Sequence, residues 1–259
     1  EGGCNVAGII ECVRKDAKVT ITDCIVKGKF HATTENGRRG ISGFVYNQYG
    51  SCTLTNCLYI GDNNATGGNT FAANATVTNC YYLNPCGEAQ GTQATEDQLK
   101  NGFVAYQLQN KRAGNVWGQF IQVDEQPLLT TEAAKHVYQV SFTYKGRVKA
   151  TRYANSGKPI LAPLPTVQDL LGSEYDSKKT YTLTYDGGFQ PYTLINGDRT
   201  VAVTVTTPTG IDGVTNDAAG VNSPVYDLQG RRVADRLDDA RHSLPAGVYI
   251  VGGRKVIVK

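Results

Sequence analysis

One short pattern appears three times in the first third of the chain: VTITDC at 19–24, CTLTNC at 52–57 and ATVTNC at 75–80. In each copy apolar or small residues (Val19 and Ile21, Cys52 and Leu54, Ala75 and Val77) alternate with threonines (Thr20 and Thr22, Thr53 and Thr55, Thr76 and Thr78). A period of two is the mark of a strand with one buried face. The alternation breaks at Asp23, Asn56 and Asn79, residue types that tolerate the left-handed backbone of a sharp corner. Cys24, Cys57 and Cys80 come next and are expected to turn inward again. A small-residue and apolar lead-in precedes each motif: Ala7-Gly8-Ile9, Ser42-Gly43-Phe44 and Asn69-Thr70-Phe71.

The motif cysteines are 33 and 23 residues apart, and self-similarity at such a period signals stacked coils rather than a closed sheet. A single coil cannot bury its own apolar stripe. Stacking sets valine, leucine and isoleucine over one another and the thiols in a column. The unequal spacing places insertions at fixed corners, around KGKFHATTENGRRG and GDNNATGGN. The expected fold class is therefore mostly β. A short right-handed parallel β-helix over 1–86 is capped by a helical segment and followed by one or two small antiparallel β domains. About three coils is close to the minimum for stability, so further coils are expected before Glu1. The chain holds no methionine, which reads as a processed chain.

Residues 87–136 are expected to form the helical cap and connector. TEDQLKNGFVAYQLQN opens on a capping box, Thr95 with Gln98 three residues on, and Leu99, Phe103 and Tyr106 share a helical face. Gly102 either ends a first short helix or sits within a longer one. With Trp117, this segment is suited to covering the open edge of the last coil. Residues 137–206 read as a separate small β domain of alternating runs, 207–224 as a linker of turn formers, and 225–259 as a β tail.

The net charge of +3 is located in that tail, where seven basic residues stand against four acids. Upstream there is no dense basic face with interleaved aromatics, which argues against nucleic acid as a partner. No apolar run approaches the ~18 residues needed to span a membrane. The seven cysteines lie within the first 86 residues, with no close CxxC pair and only His31 nearby. That pattern does not fit a zinc site, and most of the thiols read as small buried hydrophobes.

Two resemblances bear on function. GISGFVYNQYGSCTLTNCLYIGD resembles the glycine-rich GLUG repeats of bacterial surface proteins and adhesins, with Gly43, Thr55, Asn56, Cys57, Tyr59 and Gly61 at matching places. Asp23 departs from that pattern by replacing the asparagine. VYDLQGRRV followed by LPAGVYIVGGRKVIVK is similar to the C-terminal sorting domains of Bacteroidetes secreted proteins. The matching places there include Tyr226, Asp227, Gly230, Arg231, Val233, Gly247, Tyr249 and Ile250. The second resemblance implies recognition by export machinery, the type IX system in family members that have it, and a secreted or outer-membrane-surface location.

An enzyme on such coils needs acids or bases converging on one outward strip, but the outward positions are threonines. Asp62 with Asn63 and Asn64 offers oxygens for calcium but reads more simply as a solvated turn. His31, His136 and His242 are scattered, and no nucleophile signature occurs. The reading is a non-enzymatic, adhesin-like surface protein that requires no cofactor or metal and offers a coil flank to a glycan or host protein. Tyr46, Tyr49, Tyr59, Tyr81 and Tyr82 are its candidate stacking residues, and ordinary packing of these rings is the alternative. Two other readings are a carbohydrate-active lyase or hydrolase with its site in upstream coils, and ice binding by the threonine ladder.

Overall fold

The structure is a computed structural model that describes residues 5–207, 223–237 and 243–258. It divides into two compact units, one ending at Thr206 and one running from Thr207 to Lys259. The segment read as a linker lies almost wholly outside the described residues.

The three motif copies pair side by side as parallel strands, Lys18–Thr22 on Ser51–Thr55 on Ala75–Thr78. Register is uninterrupted: Val19, Cys52 and Ala75 align, as do Ile21, Leu54 and Val77. It also survives the corner, because Ile25, Leu58 and Tyr81 align in the next parallel set, which Thr92–Gln93 extends. The corner residues Asp23, Asn56 and Asn79 adopt φ of 53°, 52° and 49°, the left-handed region that Asp and Asn tolerate best after glycine. Asn79 Nδ2 donates to Asn56 Oδ1 at 2.8 Å, so consecutive corners are hydrogen-bonded to each other. The lead-in triplets stack in the same way, with Gly8 N–H donating to Gly43 O and Gly43 N–H to Asn69 O. A side chain at Gly43 would collide with the Thr70 carbonyl and the Tyr59 ring, which is why the backbones approach so closely there.

The interior of this stack holds Ile21, Leu54, Phe44, Phe71, Tyr59 and the Cys57 and Cys80 thiols. Phe44 and Phe71 lie with ring centroids 5.0 Å apart. Leu58, Cys57 and Cys52 are buried, while Ile25, Cys24 and Val19 at the corresponding places of the first motif copy are half-buried. Most thiols are enclosed, but Cys12 is exposed.

The capping box at Thr95 forms in both directions and starts the helix Glu96–Lys100. Gly102, at φ 94°, breaks it from a second helix, Phe103–Gln109. This break re-aims the apolar face. Leu99, Val104 and Leu108 are buried together with Trp117, whereas Phe103 and Tyr106 are only half-buried. The group packs on Leu58 and Tyr81, with Ile25 at its edge. This corrects the expected role of the segment: the helices cover a flank formed by outward residues of the three aligned strands, Ile25, Leu58 and Tyr81, and the Thr92–Gln93 strand extends the parallel set instead.

Residues 137–206 are not set apart from the cap. Tyr153 packs against Phe103 and Tyr106 at 6.1 and 5.7 Å, and Val137 joins Ala105 and Ile121 in one cluster. The sheet here is mixed, which corrects the antiparallel expectation. Val137–Tyr144 forms a hairpin with Arg147–Asn155 through Lys145-Gly146, both at positive φ, but pairs parallel to Arg199–Thr206. Thr182–Tyr185 completes the sheet. Helix Val167–Leu171 contributes Leu170 to the core around Phe142, Phe189 and Val201.

The second unit is a four-stranded antiparallel sheet in the order 232–234, 225–226, 247–251, 254–258. Val225, Tyr249, Val251 and Val258 are buried in it. Asp227 organises the first turn by accepting from Gln229 N–H and Arg231 N–H and pairing with the Arg231 guanidinium at 2.7 Å. Gly252 and Gly253, at φ 54° and 76°, close the last hairpin.

Candidate functional site

The candidate tyrosines do not form one face. Tyr59 is fully buried, and Tyr81 and Tyr82 are each 7% exposed. Tyr59 and Tyr82 align with Val26 and point into the stack interior, while Tyr81 aligns with Ile25 and Leu58 on the flank that the helices cover. As stacking residues for a ligand these three are corrected to core. Tyr46 is half-buried and its hydroxyl accepts from Gln48; only Tyr49 is freely exposed. Asp62 faces Lys29 and His31 at 3.9 and 3.1 Å. The Asn63 amide donates to Tyr59 and Pro85, and both ends of the Asn64 amide are bonded to Ala32. Those contacts hold the loop together rather than leaving oxygens for calcium.

Two further surfaces among the described residues bear on function. The first is the outer side of the motif strands, where Thr20, Thr53 and Thr76 align in one column and Thr22, Thr55 and Thr78 in a second. Five of the six are exposed and Thr55 is half-buried.

The second is a cleft of about 570 Å³ beyond the end of the second cap helix, which sequence reasoning missed. Its walls include Tyr106, Arg112, Asn115, His136, Tyr138 and Asp198. Gln109 shapes the wall from below, donating to the carbonyls of Arg112 and Gly114 and accepting from Val116 and Trp117 N–H. Arg112 is committed elsewhere: it reaches Asp23 at 2.7 Å and caps the Leu108 and Gln109 carbonyls. The Tyr106 hydroxyl donates to Asp198 Oδ2 at 2.7 Å, and Gln139 N–H donates to Oδ1. Burial pushes the Tyr106 phenol up, and the Asp198 carboxylate adds to the shift. His136 Nδ1 lies 2.9 Å from Asn115 Oδ1, and its ring centroid is 4.6 Å from that of Tyr138. Burial holds His136 below the usual imidazole range.

These residues come from a helix, a connector, a strand start and a distant turn, so no spacing in the chain announces them. His136 and Tyr138, two positions apart, are the only local hint. Among the described residues no group of three or more His, Cys, Asp or Glu side chains is placed to hold a metal ion. Comparison with protein-family models, with curated proteins and with solved structures returned no match.

Proposed function

We propose that the chain is a secreted or surface-displayed, adhesin-like binding protein without enzymatic activity. In this reading its parallel columns form a short right-handed β-helix of a bacterial outer surface, and the C-terminal sheet engages the secretion machinery during export. The observation that carries the proposal is the threonine array. Two columns of three hydroxyls stand on adjacent strands ~4.8 Å apart, with ~6.6 Å between columns. Each hydroxyl both donates and accepts. A rigid grid of this kind suits an extended, hydroxyl-bearing ligand such as a glycan, or a glycosylated host protein. Single hydroxyl contacts contribute little net energy, so binding would depend on several made together.

The test replaces Thr20, Thr53 and Thr76 together by lysine and measures attachment to glycan-coated and host-cell surfaces. Reduced attachment at unchanged melting temperature supports the reading; attachment equal to the parent rejects the threonine flank. Turnover of neutral or uronate glycans by the chain would reject the non-enzymatic assignment.

A further inference from the structure

We infer that the cleft between Asn115, His136, Tyr138 and Asp198 binds one ring of a neutral, hydroxyl-rich saccharide, at a site separate from the threonine flank. The argument begins with the orientation of one amide. Asn115 Nδ2 donates to the Glu132 carbonyl at 2.8 Å, so Oδ1 is the atom turned to His136, and it can only accept. His136 Nδ1 therefore carries the proton, and Nε2 holds a lone pair with no hydrogen-bond partner among the described residues. Asp198 has accepted two hydrogen bonds, from Tyr106 and Gln139, and a carboxylate has room for about four. The cleft thus offers unfilled acceptors.

The cation nearest to hand is Lys111, which lines the same cleft and has no ion-pair partner among the described residues; Arg112 is held by Asp23. A carboxylate or phosphate ligand would bring only acceptors and set them against Nε2 and Asp198. A cationic ligand would meet the Lys111 ammonium. A neutral polyol supplies O–H donors to both acceptors and an oxygen to Lys111, while its C–H face lies on an aromatic wall, here the Tyr138 ring beside His136. The volume, about 570 Å³, accommodates a sugar ring.

Protonation of His136 would turn Nε2 from acceptor to donor. Binding is therefore complete at neutral pH and declines as pH falls through the depressed imidazole value. Asp198, Lys111, Arg112, Tyr106 and Tyr138 face the same space, and the Asp198→Asn variant separates the carboxylate's contribution from that of His136.

The experiment is calorimetric titration of the full chain with methyl glucoside, methyl galactoside, methyl mannoside and galacturonate at pH 7.5 and pH 5. At least one neutral glycoside should bind, galacturonate should bind at least about tenfold more weakly, and affinity in the parent should be lower at pH 5 than at pH 7.5, with the fall displaced to lower pH in Asp198→Asn, which removes the carboxylate that raises His136. His136→Phe and Asp198→Asn should each weaken binding by about tenfold, the loss of roughly one hydrogen bond. Preference for galacturonate, tighter binding at pH 5, no binding of any neutral glycoside, or full affinity in both variants overturns the assignment. The triple threonine variant separates the two ideas: it should bind the glycoside like the parent, so failure of the cleft leaves the surface-attachment test standing, and the reverse.

Discussion

Trp117 donates its indole N–H to Asp23 Oδ1 at 2.9 Å, across 94 positions of sequence. The other oxygen of the same carboxylate takes the Arg112 guanidinium at 2.7 Å. Asp23 is the one corner of the three that is not asparagine, and here the acid links the first motif copy to the segment that follows the helices. Its side chain is 21% exposed and that of Arg112 29% exposed, so solvent screens the pair in part. Asp23→Ala should lower unfolding free energy by about 2 kcal/mol, with Asp23→Asn intermediate. Urea denaturation followed by emission of the single tryptophan measures both.

Stability should fall at alkaline pH. Burial raises the Cys52 and Cys86 thiols and the Tyr59 phenol above their ordinary values, the hydrogen-bonded Cys80 thiol and then burial raise Cys57, and Tyr153 is pushed up to about 12 by burial. In the unfolded chain these groups ionise at about 8.5 for a thiol and about 10 for a phenol. Above those values the unfolded state binds fewer protons than the folded state, so the unfolding free energy declines with rising pH. Urea midpoints measured from pH 7 to 11 should drop from about pH 8.5 onward and more steeply past 10. A flat profile contradicts the burial of these groups.

Thiol labelling should separate two populations. Cys12 is exposed, whereas Cys52, Cys57, Cys80 and Cys86 are buried. A maleimide at neutral pH should modify Cys12 within minutes and reach those four only after addition of denaturant, as read by mass spectrometry of peptides.

The column through Leu54 should be the most sensitive point of the stack. Leu54 is fully buried between Ile21 and Val77 in register. Leu54→Ala removes transfer energy and leaves a cavity that neighbouring strands cannot close, with an expected loss of about 3 kcal/mol. Thr53→Ala, one position away on the exposed face, should change stability by less than ~0.5 kcal/mol. Equal effects at the two positions would contradict the alternation.

The hinge between the cap helices offers a backbone test. Gly102 sits at φ 94°, and a Cβ there would lie 2.9 Å from both Ile121 Cδ1 and Tyr153 Cβ. Gly102→Ala should cost more than ~1 kcal/mol from the left-handed backbone alone, and a melting curve should shift down by several degrees.

What was legible in the sequence is what local chemistry determines. Alternation marks the motif strands, Asp and Asn mark the corners, and Thr95 with Gln98 marks a helix start; each depends on residues within a few positions. The tyrosines show where that reasoning ends. Tyr81 occupies an outward position by alternation, and it is buried because two helices some twenty residues downstream lie on it. The parallel pairing of 137–144 with 199–206 depends on a long crossover, and the alternation of each strand is the same whichever way its partner runs. The cleft joins Asn115, His136 and Asp198 through tertiary packing alone, so no local pattern could have named it.

The aligned registers have a practical consequence. Motif strands 33 and 23 residues apart arrive at the same alignment on both sides of the corner, so the difference in length is absorbed outside the motif columns, where the first interval carries the short helix Glu35–Arg39. Foreign peptides grafted at that helix would replace the Thr66 N–H to Arg38 carbonyl bond while leaving the rungs of the motif strands in place. The protein thus provides a display frame on which loop length can change independently of the stack.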